Sequence, residues 1–126
     1  QISYVNYFGY SPTILHGLDA FSNATRWQDT LATELNHSRP IQYVGQSTQG
    51  GHTWVCDGFN SSNDFHMNWG WSGYDDGWFA LSNLNPAGTG DVFNTGIEAL
   101  IGIMPPAPTA APSNRAPISF PEFSIV

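Results

Sequence analysis

The strongest constraint on the fold of this chain is an abrupt change of residue pattern at Pro40. Before it, Trp27, Leu31 and Leu35 recur at four-residue steps, as apolar residues do along one face of an α-helix. A Ser-Asn pair just upstream supplies side chains that can cap the start of such a helix, and the proline closes the segment. We therefore predict a helix over residues 24–37.

After the proline, the pattern is typical of short strands separated by turns rich in Gly, Asn, Asp and Ser. Alternating, β-branched or aromatic residues predict strands over 41–44, 52–56, 65–71, 78–81 and 98–104. Residues 1–21 are predicted to form a strand and a loop, and residues 83–96 a long mobile loop. We expect an α+β fold in which an antiparallel sheet packs against one main helix.

The composition changes again after Met104. Residues 105–117 hold five of the nine prolines in the chain, together with Ala, Thr and Ser, which is typical of a semi-rigid linker. We predict a folded unit over residues 1–104 and a proline-rich linker or tail over residues 105–126. The sequence begins at Gln1 with neither an initiator Met nor a signal peptide, so we expect a processed or excised piece.

The charge balance excludes several classes of partner. The chain has no lysine, and three arginines face ten acidic residues, for a net charge of −7. Binding to nucleic acid or to an anionic membrane surface needs clustered basic residues, so we predict neither. A surface rich in Asn, Ser, Thr and Gly suits a secreted bacterial protein, extracellular or at the cell surface.

The residues with the clearest chemical meaning begin at Gly50-Gly51-His52. Glycines leave room for a substrate backbone beside the histidine that opens the strand. If the two following strands pair through a turn near residues 60–63, Asn68 lies opposite His52, where its amide oxygen could accept a hydrogen bond from the imidazole. Trp69 could cover that bond. Alternatively, His52 is only a strand-end histidine, and Asn68 and Trp69 are a turn residue and a core residue.

A metal site is not predicted. His52, His66, Asp57 and Asp64 have no recognisable zinc spacing, and each is expected to pack or to lie at the surface. The pair Asp75-Asp76 is better explained as a turn than as part of a calcium loop.

A long ordered series of residues resembles the C-terminal half of the streptopain family, which are bacterial papain-like cysteine peptidases. The series runs from about Asn6 to Pro105. Its members are Trp27, Leu31, Leu35, Arg39 to Gly45, Gly50 to His52, Asp57-Gly58, Phe65 to Gly73, Asp76 to Leu81, Leu84 to Pro86, and Ile101 to Ile103. The resemblance implies the β-rich half of a papain-like fold.

The resemblance also implies roles for individual residues. His52 would be the general base, Asn68 and Trp69 would orient and shield it, and Trp71 would line the cleft with Gly50 and Gly51. No cofactor is required. The substrate would be a peptide or a protein, hydrolysed by a cysteine endopeptidase.

The nucleophilic cysteine and the oxyanion-hole glutamine of that family lie upstream of the matching stretch, on the other half of the fold. Cys56 cannot replace the nucleophile, because four residues of strand put it about 13 Å from His52, and it is predicted to be a core residue. We therefore expect a partner, the Cys-bearing N-terminal half, as a separate chain or part of a cleaved precursor. Alone, this chain should be inactive.

A second interpretation is a non-catalytic assembly module that kept the peptidase-like sheet. Such a module would bind peptides, or glycans through Trp69 and Trp71.

Overall fold

A computed structural model describes residues 2–17 and 23–108 of the chain. Within them lie two helices and six strands. The helices are α1 (Ile2–Phe8) and α2 (Ala24–Asn36), and the strands are β1 (Thr13–His16), β2 (Ile41–Gln46), β3 (Gly51–Phe59), β4 (Phe65–Asn68), β5 (Gly77–Phe79) and β6 (Thr95–Ile101). Neither helix is long and apolar enough to cross a membrane.

All six strands belong to one antiparallel sheet in the order β1-β6-β2-β3-β4-β5. Strands β2 to β5 follow the chain as consecutive neighbours, whereas β6 returns across the sheet to lie between β1 and β2. The predicted α+β fold, an antiparallel sheet with one main helix, is confirmed.

The core lies between α2 and one face of the sheet. Trp27 and Leu31 of α2 are buried, as are the side chains that β2 and β3 point toward the helix. The indole Nε1 of Trp27 donates to the hydroxyl of Tyr43 at 3.0 Å, and burial raises the pKa of that hydroxyl. The helix begins where Asn23 Oδ1 accepts from the Arg26 amide at 3.1 Å. The amphipathic stripe read from the sequence is thus the buried face.

The first segment differs from its prediction. Residues 2–8 form a helix instead of a strand, and only β1 fits the predicted strand and loop over residues 1–21. The helix ends at Gly9, which has a positive φ of 69°, and the Tyr10 amide donates to the Tyr4 carbonyl at 3.0 Å. Aromatic and β-branched residues favour strands only where they have a sheet to pack on, and no strand of the described residues pairs with this segment.

The strand boundaries also differ: β2 and β3 extend to Gln46 and Phe59, past the predicted ends at 44 and 56, and β5 covers Gly77–Phe79 instead of 78–81. Strand β4 ends at Asn68 instead of residue 71, because Gly70 and Ser72 adopt positive φ angles of 76° and 58° and turn the chain away. The last strand covers Thr95–Ile101 instead of 98–104. Its pairing with β2 ends at Leu100 and its pairing with β1 ends at Ile101.

The proline-rich segment 105–126 lies outside the described residues from residue 109 onward. Its first residues have no regular structure, and a Cβ added to Gly9 would meet the Pro106 ring at 3.4 Å. A separate linker therefore stays a prediction.

One buried acidic side chain ties α2 to the end of the sheet. Glu34, 7% exposed, accepts two hydrogen bonds from the Arg39 guanidinium at 2.7 and 2.8 Å and one from the Gly102 amide at 2.9 Å. The hydrogen bond from Arg39 holds the pKa of this carboxyl below its usual value. The carboxylate thus joins the helix, the loop before β2 and the residue after β6.

We expect Glu34→Ala to lower the free energy of unfolding by about 2 kcal/mol, measured by urea unfolding with tryptophan fluorescence. A carboxyl whose pKa is depressed in the folded state contributes stability above its unfolded pKa, about 4.3, and loses it as the pH falls through the folded value. The difference from Glu34→Gln should therefore be constant near neutral pH and shrink below about pH 4. A difference that stays constant in acid, or that Asp29→Asn on the exposed helix face reproduces, would contradict this assignment.

Candidate active site

The position of His52 follows from a tight connection between β2 and β3. His52 is the second residue of β3 and pairs with Gly45 of β2. Two residues before it, Gly50 has a φ of 145°. A Cβ on Gly45 would lie 2.8 Å from the Trp54 ring and 2.9 Å from the Phe93 carbonyl oxygen, so only glycine fits there. The half-buried imidazole is thus held at the end of the sheet.

A main-chain carbonyl orients the imidazole ring. His52 Nε2 lies 2.9 Å from the carbonyl oxygen of Trp69. A carbonyl can only accept, so Nε2 carries the proton of this hydrogen bond. In the neutral ring, Nδ1 is then the nitrogen with the free lone pair. The structure therefore sets Nδ1 as the basic atom.

Aromatic rings enclose the imidazole. The Trp71 ring stacks on it with centroids 4.9 Å apart and planes 24° apart, and the rings of Phe93 and Trp54 lie at 5.6 and 5.9 Å. The ring of Trp69 lies at 6.4 Å and is fully buried. These walls restrict rotation of the imidazole and exclude water from the bond between Nε2 and the carbonyl, which strengthens that bond.

The peptide group of Trp69 is held on both sides. Its carbonyl faces His52, and its amide donates to Asp76 Oδ1 at 2.9 Å. The sequence predicts Asp76 only as part of a turn and does not predict its hydrogen bond with the Trp69 amide. The Asp-Gly turn signal shows where the chain reverses, but not that the aspartate reaches back seven residues.

The expectation that Asn68 lies opposite His52 is wrong. The register pairs Asn68 with Val55, and the Asn68 side-chain oxygen accepts from the Gly70 amide at 3.0 Å. The β3–β4 hairpin reverses at the predicted turn, since Phe59 pairs with Phe65, and a bulge follows Cys56. Opposing His52 and Asn68 would require the chain to reverse earlier, at residue 60. Continued past Asn68, the Val55 register brings Trp71 level with His52, in agreement with their ring contact. Asn68 thus shapes the turn that carries the Trp69 carbonyl.

The imidazole opens on a pocket of about 200 Å³. The pocket contains the three residues predicted to bind substrate beside the general base, namely Gly50, Gly51 and Trp71. It is lined by Ser47, Gln49, Gly50, Gly51, His52, Trp71, Asp91 and Phe93.

The loop over residues 83–96 forms one wall of this pocket, through Asp91 and Phe93. Its two ends are joined by hydrogen bonds, from the Leu84 amide to Asn94 Oδ1 at 2.8 Å and from the Phe93 amide to the Leu84 carbonyl at 2.9 Å. Its tip is joined to the turn after β4 by the Gly88 amide, which donates to an Asp75 carboxylate oxygen at 2.9 Å. Mobility of this loop stays a prediction.

Cys56 is a core residue, as predicted. Its side chain is fully buried, it pairs with Ile41 across β2 and β3, and burial raises the pKa of its thiol to about 12. A thiol with that pKa is not a thiolate at neutral pH, so it does not serve as a nucleophile.

His66 and Asp57, which were considered as metal ligands, pair with each other instead. His66 Nδ1 lies 2.6 Å from Asp57 Oδ1 on the outer face of the sheet. In the described part of the chain, no three His, Cys, Asp or Glu side chains converge as metal ligands would.

Because Trp69 is fully buried, it cannot stack on a glycan. The interpretation of a glycan-binding module is therefore wrong for this residue.

The antiparallel sheet packed on one main helix, with a histidine held by a backbone carbonyl and walled by tryptophans at its end, is the architecture of part of a papain-like fold. Residues 2–79 match the sequence profile of the Peptidase C10 family, and the chain belongs to that family. The predicted relationship to streptopain is confirmed by the relatives described next.

The chain is similar in sequence to cysteine peptidases of two bacteria. It is 40% identical over 104 residues to a thiol protease/hemagglutinin, PrtT, of Porphyromonas gingivalis, covering 79% of this chain and 11% of that protein. It is 37% identical over 103 residues to streptopain of Streptococcus pyogenes, covering 78% of this chain and 26% of streptopain. The chain therefore spans only about a tenth to a quarter of these curated relatives.

Solved structures give the same result. The structure of active interpain A, a cysteine protease of Prevotella intermedia, superposes with a TM-score of 0.66 at 29% identity and covers 73% of this chain and 38% of that one. A prointerpain A fragment superposes with a TM-score of 0.66 at 27% identity, covering 82% of this chain and 32% of the fragment.

Proposed function

We propose that this chain carries the general base of a bacterial cysteine endopeptidase whose nucleophilic thiol lies on the Cys-bearing N-terminal half of the fold. That half is a separate chain or the other part of a cleaved precursor. The observation that carries the proposal is the hydrogen bond from His52 Nε2 to the Trp69 carbonyl, because it leaves Nδ1 basic and fixed in direction.

In this proposal, His52 moves one proton back and forth through Nδ1. The thiol of the partner half gives its proton to Nδ1, and the thiolate attacks the carbonyl carbon of the scissile peptide bond. The imidazolium then donates that proton to the leaving nitrogen as the C–N bond breaks, which leaves a thioester. Water, deprotonated by Nδ1, hydrolyses the thioester and regenerates the thiol. The Trp69 carbonyl accepts from Nε2 throughout and stabilises the imidazolium.

The position of the partner half is supported by apolar surface that the described residues leave exposed. Helix α1 has no buried residue, and Ile2, Tyr7 and Phe8 are 74%, 80% and 62% exposed. Between α1 and the outer face of the sheet lies an apolar cavity of about 310 Å³, whose lining includes Tyr4 and Val55. Exposed apolar side chains beside an apolar cavity are typical of an interface.

We expect this chain alone to bind an apolar-surface dye strongly, and to lose most of that dye signal when the Cys-bearing half is added. The physical reason is that the second half covers the apolar face of α1 and the outer sheet. Dye fluorescence and light scattering measure both states. A monodisperse chain without dye signal would show that no partner is needed to cover this surface.

The proposed activity is tested by peptide hydrolysis with the chain alone, with the Cys-bearing half alone, and with both together. We expect turnover of an internally quenched peptide only in the mixture, and its loss when a thiol alkylating reagent is added first. Hydrolysis by this chain alone, or a well-formed complex without hydrolysis, would contradict the proposal. The second outcome would favour a non-catalytic peptide-binding module.

We also propose that the assembled enzyme is secreted and works outside the bacterial cell. The support is the polar, lysine-free composition of the chain and the burial of its single thiol, which protects it in an oxidising environment.

A further inference from the structure

The pocket beside His52 contains an acidic side chain that the proposed mechanism does not use. Asp91 is half-buried in the pocket wall, on the loop between β5 and β6.

The carboxylate of Asp91 is held in place with one oxygen still available. Oδ1 accepts from the Ser47 hydroxyl at 2.8 Å, and the Asp91 amide donates to Thr89 Oγ1 at 3.0 Å. Ser47 in turn closes the turn before His52, since its amide donates to the Gly50 carbonyl at 2.8 Å. Among the described residues, Oδ2 receives no hydrogen bond, so it can accept from a bound molecule.

No cation of the described residues neutralises this carboxylate. The ion pairs recorded for those residues join Glu34 to Arg39 and Asp57 to His66. Neither Lys nor Arg lines the pocket, and its lining also includes the Trp71 and Phe93 side chains. A fixed carboxylate in a pocket that also contains aromatic rings is suited to a guanidinium or an ammonium, through charge-assisted hydrogen bonds and cation–π contact.

The position of the pocket relative to His52 identifies which substrate residue enters it. In the proposed mechanism, the imidazolium donates its proton to the leaving nitrogen, so that nitrogen must lie within hydrogen-bond reach of Nδ1. The pocket that includes His52 therefore adjoins the residue that supplies the nitrogen, on the carboxyl side of the scissile bond.

We infer that Asp91 selects substrates with arginine or lysine immediately after the scissile bond. The inference rests on the proposed peptidase function, because it concerns a subsite of the same pocket. It assigns a basic peptide as the substrate class and Asp91 as the residue that recognises it.

The test compares two peptides that differ only at this position, where one has arginine and the other has citrulline, its uncharged isostere. With the assembled peptidase, we expect kcat/KM to be about tenfold higher for the arginine peptide. In Asp91→Asn, which keeps the oxygen that accepts from Ser47, the ratio should fall to about one to two. Asp29→Asn, with the same charge change on the exposed face of α2, should leave the ratio unchanged. The ratio should also fall as ionic strength rises from about 0.05 M to about 0.5 M.

Four results would overturn the inference. Equal hydrolysis of both peptides by the unmodified enzyme, or an arginine preference that persists in Asp91→Asn, would remove Asp91 as the selective residue while leaving the peptidase function intact. An equal loss of rate on both peptides in Asp91→Asn would show that Asp91 acts through His52. Absence of hydrolysis of any peptide by the assembled protein would refute the proposed function, and the inference with it.

Discussion

In the assembled peptidase, His52→Ala is expected to lower kcat/KM by about 10³-fold or more. The variant loses both the base that takes the thiol proton and the acid that protonates the leaving nitrogen, while the Trp69 carbonyl and the aromatic walls cannot move a proton. The measurement is steady-state hydrolysis of a quenched peptide over a range of pH. KM should change little, because the imidazole contributes mainly to the chemical step.

A matched control is available on the neighbouring strand. His66 is also a half-buried histidine with a hydrogen-bond partner, but it faces Asp57 on the outer side of the sheet. We expect His66→Ala to change kcat/KM by less than about threefold. Comparable losses in the two variants would mean that the effect at position 52 comes from the fold instead of proton transfer.

The second large effect is expected at Asp76, which touches neither substrate nor imidazole. Asp76→Ala leaves the Trp69 amide without its acceptor, so the peptide group is free to rotate and its carbonyl no longer fixes Nε2 of His52. We expect kcat to fall about 10- to 100-fold with a much smaller change in KM. Asp76→Asn, which keeps an oxygen in the same place, should recover most of the activity.

Asn68→Ala separates this explanation from the alternative in which an amide orients the histidine. Among the described residues, the Asn68 side chain accepts only from the Gly70 amide in an exposed turn, so its replacement should lower kcat by only a few fold. If Asn68→Ala is as damaging as His52→Ala and Asp76→Ala is harmless, the orienting group in the working enzyme is the amide and not the Trp69 carbonyl. Near-ultraviolet circular dichroism of each variant checks that the tryptophan cluster is intact.

The parts of the fold predicted well from sequence are those with a long periodic signal. The apolar stripe of Trp27, Leu31 and Leu35 on α2 spans two helical turns. An error of one or two residues at either end of the helix therefore leaves the prediction of a helix unchanged. The strands near Tyr43 and Trp54 also alternate clearly. By contrast, α1 has only seven residues, five of them β-branched or aromatic, and its helical state depends on tertiary surroundings that the local sequence does not show.

The site was predicted in part. The importance of His52 could be inferred from its glycines and from the Trp-Gly-Trp stretch downstream, and the structure does bring His52 and Trp71 together. The expected pairing of Asn68 with His52 is wrong because it requires the hairpin to reverse at residue 60, whereas a reversal at the predicted turn over residues 60–63 places Trp71 level with His52. The orienting group is a backbone carbonyl, which every residue carries, so no side-chain pattern could mark it.

The central claim is that His52 activates a thiol on another half of the fold. The most direct measurement is treatment of the protein from its native source with a thiol-reactive peptidase probe, followed by intact mass analysis of every co-purifying chain. We predict that a second chain or segment carries the probe, that this chain stays unlabelled at Cys56, and that labelling is lost in His52→Ala. No labelled partner, or labelling that does not depend on His52, would contradict the account.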